Sequence, residues 1–151
     1  MRDGPEEETV PVYEAKIREW NAASERGEKA LMVIALKDTH ELIGMSGYPW
    51  LPANAAGRAG NTGVMIDASH AKKGYGREAM SAMLDYGFDV LGFERIEQAT
   101  HLVNTPYRAL VRSLGLEKFE VQGKPNAQGT VWCLYEVSRE EWQAAKAERA
   151  G

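Results

Sequence analysis

The residues with the clearest chemical potential form a short basic segment that contains two glycines, Lys72-Lys73-Gly74-Tyr75-Gly76-Arg77. An apolar pattern typical of a helix follows it, and the first turn of a helix presents about four backbone N–H groups without partners. These donors and the helix dipole attract phosphate, and glycine lets a ligand approach the backbone closely. The segment predicts a pyrophosphate site on its amides, although most Gly-x-Gly pairs are ordinary turns.

The elements that must position this segment follow from the hydrophobic pattern. The clearest predicted helix comes directly after Gly76, and one face of it carries Met80, Met83, Leu84, Phe88 and Leu91. Further helices are predicted over about 12–26, 105–114 and 138–150, and strands over 31–36, 41–48, 62–66, 95–101, 118–121 and 131–137. Residues 48–63 are predicted to form one long loop and 1–10 a flexible tail. This order predicts a mixed α/β domain.

Composition limits the function. The 151 residues fit a single domain spanning 1–151. A formal net charge of −4 argues against a nucleic-acid partner, because phosphate-backbone binding needs clustered Lys and Arg. No apolar run approaches the roughly 20 residues that span a bilayer. A single cysteine, Cys133, and the absence of a metal-ligand cluster or secretory signal predict a cytoplasmic protein without a metal.

From about Ala30 to Val137 the chain resembles the GNAT N-acetyltransferase superfamily, in particular the ribosomal-protein N-terminal acetyltransferases and their antibiotic- and polyamine-acetylating relatives. The stretches that carry the resemblance are Gly63–Ala79, Gly92–Ala99 and Asn104–Leu116. Their order and spacing together are more specific than any one of them. The resemblance implies an acyl-CoA N-acyltransferase fold with a central mixed, largely antiparallel sheet flanked by helices, shortened at its N-terminus.

The resemblance also implies a mechanism that uses acetyl-CoA. Its pyrophosphate would bind the loop of residues 72–77, and its pantetheine arm would lie against the backbone of Val64, Met65 and Ile66. Asn104 and Tyr107 would help to hold the arm. An amine would then attack the thioester directly in a ternary complex, with a backbone N–H near Met65 stabilising the oxyanion.

Several positions depart from the family pattern. Ala71 stands where the loop often begins with Gln or Arg, and Asn61 replaces a glutamate that is frequent on the cofactor strand. Tyr107 replaces a common serine, and Val111 replaces a tyrosine that protonates the thiolate in many relatives. A general base and a general acid are therefore not identified. An acyl-CoA-binding module with little or no transferase activity stays open as the alternative, as does an interaction protein that retains the scaffold.

Three further residues are candidates for the acceptor side. His101 ends a strand near the expected acetyl group and is a candidate base or substrate ligand, or simply a polar strand end. Tyr48 and Trp50 either line the acceptor pocket or pack as ordinary aromatic residues. Trp132 falls in a core pattern. The acceptor is expected to be a small or peptidyl amine, and a missing N-terminal strand would expose a sheet edge, which favours a homodimer.

Overall fold

A computed structural model of the protein describes residues 9–53 and 57–151, which contain four α-helices and seven short strands. The helices are α1 (Val10–Glu25), α2 (Tyr75–Asp89), α3 (Thr105–Ser113) and α4 (Arg139–Ala150). The strands are β1 (Ala30–Ala35), β2 (Leu42–Tyr48), β3 (Ala59–Asn61), β4 (Gly63–Ile66), β5 (Arg95–His101), β6 (Glu120–Gln122) and β7 (Trp132–Ser138). Single 3₁₀ turns occur at Ala68–His70 and Glu117–Phe119. None of the described helices is long and apolar enough to cross a membrane.

The strands form two sheets that meet at the junction between β3 and β4. One sheet has the order β1-β2-β4 with antiparallel pairs. The other has the order β3-β5-β7-β6, in which β3 and β5 run parallel and the remaining pairs are antiparallel. The prediction of a mixed α/β fold with largely antiparallel strands is therefore confirmed, but the sheet is divided in two.

The structure corrects several predicted boundaries. Helix α1 begins at Val10, so the predicted tail of residues 1–10 is too long, and residues 1–8 lie outside the described part of the chain. The predicted loop of residues 48–63 contains strand β3, and residues 54–56 of it lie outside the described part. The predicted strand 62–66 begins one residue later, because the backbone leaves one sheet for the other at Thr62.

The core lies between one face of the β5–β7 sheet and helices α2, α3 and α4. Its largest fully buried side chains include Trp142, Tyr48, Tyr135, Phe88, Phe93, Met80, Leu84, Ile96 and Leu114. Burying one side chain of this size contributes about 1.5–3 kcal/mol. Gly87 on α2 is required at the centre, since a Cβ there would lie 2.0 Å from the Tyr48 hydroxyl.

The opposite face of the β5–β7 sheet is open among the described residues. Trp132 and Leu134 on β7 are 48% and 39% exposed, which corrects the prediction that Trp132 is a core residue. Strand β1 forms an outer edge of its sheet, with no further strand beside it in residues 9–53 and 57–151. That edge is where the predicted homodimer would form, and the dimer stays a prediction.

Candidate functional site

The two sheets separate at a single backbone hydrogen bond. The Thr62 N–H donates to the Glu97 carbonyl oxygen at 3.0 Å, directly after the parallel pairing of β3 with β5. Two buried hydroxyl groups hold the chain at this point. Thr62 Oγ1 donates to the Gly47 carbonyl and Ser46 Oγ donates to the Gly63 carbonyl, each at 2.7 Å. The separation is therefore built into the packing of β2 against β4.

Beyond this point β4 and β5 each have one unpaired edge. Residues 63–66 pair with β2 alone, and residues 98–101 of β5 pair with β7 alone, so the described chain leaves the two remaining edges without strand partners. A strand edge presents N–H and C=O groups that readily pair with another extended chain. The opening therefore suits an extended ligand that carries amide groups, as a pantetheine arm does.

The loop after β4 leads from this opening to the start of α2. Lys72 and Gly74 both have left-handed backbone angles, with φ of 60° and 84°. The amides of residues 72–77 have no backbone acceptor in the described chain, whereas the next amide, of Glu78, donates to the Gly74 carbonyl at 3.1 Å. Six free donors at a helix N-terminus fit a phosphate group.

Basic side chains surround these donors. Within the described ranges, no carboxylate lies within 4.0 Å of a nitrogen of Lys72, Lys73 or Arg77. Their positive charge is thus not neutralised by the protein, which favours an anionic ligand.

The base of the loop is fixed by a polar cluster around His70. The Ser69 hydroxyl donates to Asp67 Oδ2 and lies 2.9 Å from His70 Nδ1, and His70 Nε2 lies 3.5 Å from Glu41 Oε1. The Ser69 hydroxyl lowers the pKa of the Asp67 carboxyl, and His70 lowers it further. The carboxylate therefore stays ionised and holds the turn that leads into residues 72–77.

Asn104 begins helix α3 on the far side of the opening. Its Oδ1 accepts from the Tyr107 amide at 3.3 Å, and its Nδ2 donates to Thr100 Oγ1 at 2.9 Å. This is an N-cap arrangement, which stabilises a helix by about 1 kcal/mol. Each group of the side-chain amide keeps one further hydrogen-bonding position for a ligand.

Gln98 is the first residue of β5 beyond the separation, and its side chain is fully buried. The Tyr107 hydroxyl donates to Gln98 Oε1 at 2.8 Å, and Gln98 Nε2 has no acceptor among the described residues. A buried donor without a partner costs about 1–3 kcal/mol. Burial raises the pKa of Tyr107 well above its usual value, so the phenol keeps its proton and the orientation of the Gln98 amide is fixed.

Glu97 points to the opposite, open face, where it is half-buried. It stands beside Asn61 in the parallel register and opposite Glu136 in the antiparallel one. Burial raises the pKa of the Glu97 carboxyl, and the neighbouring Glu136 raises it further. Glu136 itself is paired with Arg95. Glu97 is thus a carboxyl group of increased basicity at the point where the strands separate.

The candidates for the acceptor side fall in different places. Tyr48 is fully buried, its hydroxyl donates to the Met83 carbonyl at 2.7 Å, and its ring packs on Phe93, which favours the alternative that it packs as an ordinary aromatic residue. Trp50 is 63% exposed. His101 lies four residues beyond Glu97, about 13 Å along the strand, and its ring contacts Trp132 edge-on at 4.1 Å.

Comparison with known sequences decides the family. The sequence model described as the acetyltransferase (GNAT) domain matches residues 1–117. The chain belongs to the GNAT acetyltransferase family. This GNAT chain is 35% identical over 98 residues to the uncharacterized N-acetyltransferase p20 of Bacillus licheniformis, a match that covers 65% of the chain and 54% of p20. The chain therefore spans about half the length of the curated relatives it matches.

Solved structures share the fold of this GNAT chain. Ribosomal-protein-S5-alanine acetyltransferase from Vibrio fischeri matches with a TM-score of 0.72 and 19% identity, over 89% of this chain and 74% of that one. Mycobacterium smegmatis RimJ, in complex with CoA-disulfide, matches with a TM-score of 0.75 and 18% identity, over 94% and 70%. At this identity the likeness establishes the fold of the GNAT chain.

Sequence reasoning missed the residues that build the separation and line it. Thr62, Ser46, Glu97 and Gln98 were not among the predicted site residues, because each is an ordinary polar residue in a strand. One signal was present in the sequence: Glu97 and Gln98 interrupt β5 with two adjacent polar residues, so that one of them must face the core.

Proposed function

We propose that this GNAT chain binds acetyl-CoA between β4 and β5 and transfers its acetyl group to an amine. The observation that carries the proposal is the pair of unpaired strand edges that open from the Thr62–Glu97 hydrogen bond toward the free amides of residues 72–77. An extended diamide arm and a diphosphate, joined in one ligand, match these two features in order along the chain.

The residues present fit such a ligand. The backbone of Val64, Met65 and Ile66 would pair with the pantetheine arm, and the amides of residues 72–77, with the side chains of Lys72 and Lys73, would hold the diphosphate. The unpartnered Gln98 Nε2 is fully enclosed in the ligand-free chain, so a ligand carbonyl would satisfy this donor only after the side chains around it move. Bound acetyl-CoA would supply a thioester whose carbonyl carbon is open to attack by an amine.

The acceptor amine is protonated at neutral pH and must lose a proton before it attacks. We assign this proton to the Glu97 carboxylate, because Glu97 lies at the separation and its increased basicity suits a general base. Glu97 also stands in register with Asn61, so the neighbouring strand would supply the carboxylate missing from the cofactor strand. The nitrogen–carbon bond would then form and the carbon–sulfur bond would break, with the sulfur leaving as a thiolate. The attacking nitrogen loses its second proton as the bond forms, to solvent water or to the departing thiolate.

The departing thiolate needs no acid from the protein. Tyr107 is a poor acid, because burial raises its pKa and its proton is donated to Gln98 Oε1. Burial also raises the pKa of the Cys133 thiol, which therefore stays protonated and is not a nucleophile. A thiolate whose conjugate thiol has an ordinary pKa near 8.5 takes its proton from water or from the nitrogen that attacked.

The amine itself is proposed by class alone. The net charge of −4 and the pair Glu97 and Glu136 on the open face favour a cationic amine, small or peptidyl. Trp50 would form a wall of its pocket. A cytoplasmic location is part of the same proposal, since the one cysteine is free and buried.

Two measurements test the proposal. Isothermal titration with acetyl-CoA should show one binding site, and thiol release should be stimulated by at least one member of a panel of N-terminal peptides, polyamines, amino acids and aminoglycosides. Binding without thiol release for any amine would favour the alternative of an acyl-CoA-binding module. Absence of acetyl-CoA binding would reject both functions.

A further inference from the structure

A shallow groove runs between helices α2 and α4, beginning at the free amides of residues 72–77. The residues that line it are Gly74, Arg77, Glu78, Ser81, Asp85 and Arg149. Helix α4 lies beyond residue 117, where the match to the GNAT family ends. Arg149 therefore lies outside the stretch that matches the family model, whereas Arg77 lies inside it.

Two arginines, Arg77 and Arg149, line this groove. In the described ranges neither Arg77 nor Arg149 has a carboxylate oxygen within 4.0 Å. Arg149 Nε is buried and has no hydrogen-bond acceptor among the described residues. Burial lowers the pKa of Arg149, and the charge of Arg77 lowers it further. Two cations that repel each other beside an unused buried donor favour an anionic ligand.

The acids of the groove supply only part of the balancing charge: the Asp85 carboxylate raises the pKa of Arg149, but by less than burial and Arg77 lower it. Asp85 Oδ1 already accepts from Trp142 Nε1 at 2.8 Å and from Lys146 Nζ at 2.7 Å. Glu78 lines the groove but makes no ion pair with either arginine. The Arg149 guanidinium is held in place by its stacking on the Trp142 ring, with Cζ 5.1 Å from the ring centroid. Its position is thus prepared before a ligand arrives.

The geometry points to a phosphate-binding subsite formed by Arg77 and Arg149, which binds the ribose 3′-phosphate of coenzyme A. This inference rests on the proposed function, since the diphosphate of the same ligand would lie on the adjacent amides of residues 72–77. Coenzyme A carries its third phosphate on the ribose, next to the diphosphate. Guanidinium groups bind phosphate oxygens in a bidentate manner and more strongly than neutral donors do.

The test compares coenzyme A with dephospho-coenzyme A, which lacks only the 3′-phosphate, by isothermal titration. The wild-type chain should bind coenzyme A roughly tenfold or more tightly, as expected for one charge-assisted contact. Arg149→Gln should remove most of this preference and leave the affinity for dephospho-coenzyme A unchanged. Arg149→Lys, which keeps the charge but loses the fork of donors, should fall between the two.

Arg139→Gln is the matched control, because Arg139 lies at the other end of α4 and is paired with Asp89 at 2.8 Å. It should leave the preference intact, and thermal unfolding of each variant checks that α4 stays in place. Equal binding of the two ligands by the wild-type chain would overturn this inference while the proposed function stands. An equal loss of affinity for both ligands in Arg149→Gln would also overturn it. If neither ligand binds the wild-type chain, the proposed function fails and this inference with it.

Discussion

The Thr62 N–H and the Glu97 carbonyl form the backbone hydrogen bond at which the two sheets of the protein part. On one side of this bond β3 and β5 are paired, and on the other side their continuations face different partners. This one contact fixes the position of the opening for the proposed ligand arm, with the Gln98 amide and the Glu97 carboxyl beside it. Variants of Gln98 therefore test ligand binding, and variants of Glu97 test the chemical step.

The proposed diphosphate site on residues 72–77 is tested by substituting two glycines that have similar backbone conformations. Gly74 and Gly129 have φ of 84° and 75°, and a Cβ at either position meets no atom within 4 Å. Glutamate at either position should therefore destabilise the fold by a similar amount, about 1–2 kcal/mol for the left-handed conformation. Gly74→Glu alone should weaken acetyl-CoA binding, by more than about tenfold through repulsion of the diphosphate, as measured by isothermal titration. Similar affinities for the two variants would show that the loop assignment is wrong.

Replacing Gln98 by Leu and Tyr107 by Phe in one variant removes the unpartnered Gln98 Nε2 donor together with the Tyr107 hydroxyl that donates to Gln98 Oε1. Because both partners of a buried hydrogen bond are replaced by apolar groups, the ligand-free protein should unfold at the same or a higher temperature. The affinity for acetyl-CoA should fall about two- to tenfold, the value of one lost hydrogen bond. Thermal unfolding with and without acetyl-CoA measures both effects, and an unchanged affinity would remove Gln98 from the site.

Glu97→Gln should leave acetyl-CoA binding unchanged and lower kcat by about 10²–10⁴, the usual contribution of a general base. Glu136→Gln tests the same role through the pKa of Glu97. Burial is the largest cause that raises this pKa, and the neighbouring Glu136 is the next. A base acts when it is deprotonated, so removing Glu136 should move the acid limb of the pH–rate profile to lower pH and keep the plateau. A profile that moves to higher pH would contradict this role.

Glu120 should make the fold sensitive to acid. Hydrogen bonds from Arg108, Tyr135 and Gln122 lower the pKa of its carboxyl to about 2. A lowered pKa in the folded state adds stability above the ordinary value of 4.5, and that stability is lost as the pH falls toward 2. The midpoint of thermal unfolding should therefore drop between pH 5 and pH 2, and the drop should be shallower in Glu120→Gln. Parallel curves for the two proteins would show that other carboxyl groups dominate.

Sequence reasoning located the helices and the loop because their signals are local. The apolar stripe of α2 predicted its position after Gly76, and Ser138 with Glu141 predicted the capping box that begins α4, where Ser138 Oγ accepts from the Glu141 amide at 3.2 Å. Periodicity and capping residues act within one or two turns, so a single sequence suffices to read them.

The division of the sheet was not predictable in the same way. It depends on hydroxyl groups of Ser46 and Thr62 that bond to carbonyl groups more than a dozen residues away. The burial of Tyr48 and the exposure of Trp132 could not be predicted for a related reason. An aromatic residue at a strand end is buried or exposed according to what covers its face of the sheet, and α2 covers Tyr48 but not Trp132. Such choices are made by tertiary packing rather than by local pattern.

The open junction also bears on how the folded chain responds to its ligand. In residues 9–53 and 57–151, the three-stranded and four-stranded halves share no ladder beyond Thr62, although α2 packs against strands of both. A ligand that pairs with both free edges would connect the strand ladders of the two halves. It would bind the folded chain and not the unfolded one. The free energy of unfolding should then rise with the logarithm of ligand concentration once that concentration exceeds Kd. Amide hydrogen exchange should slow first along residues 63–66 and 98–101.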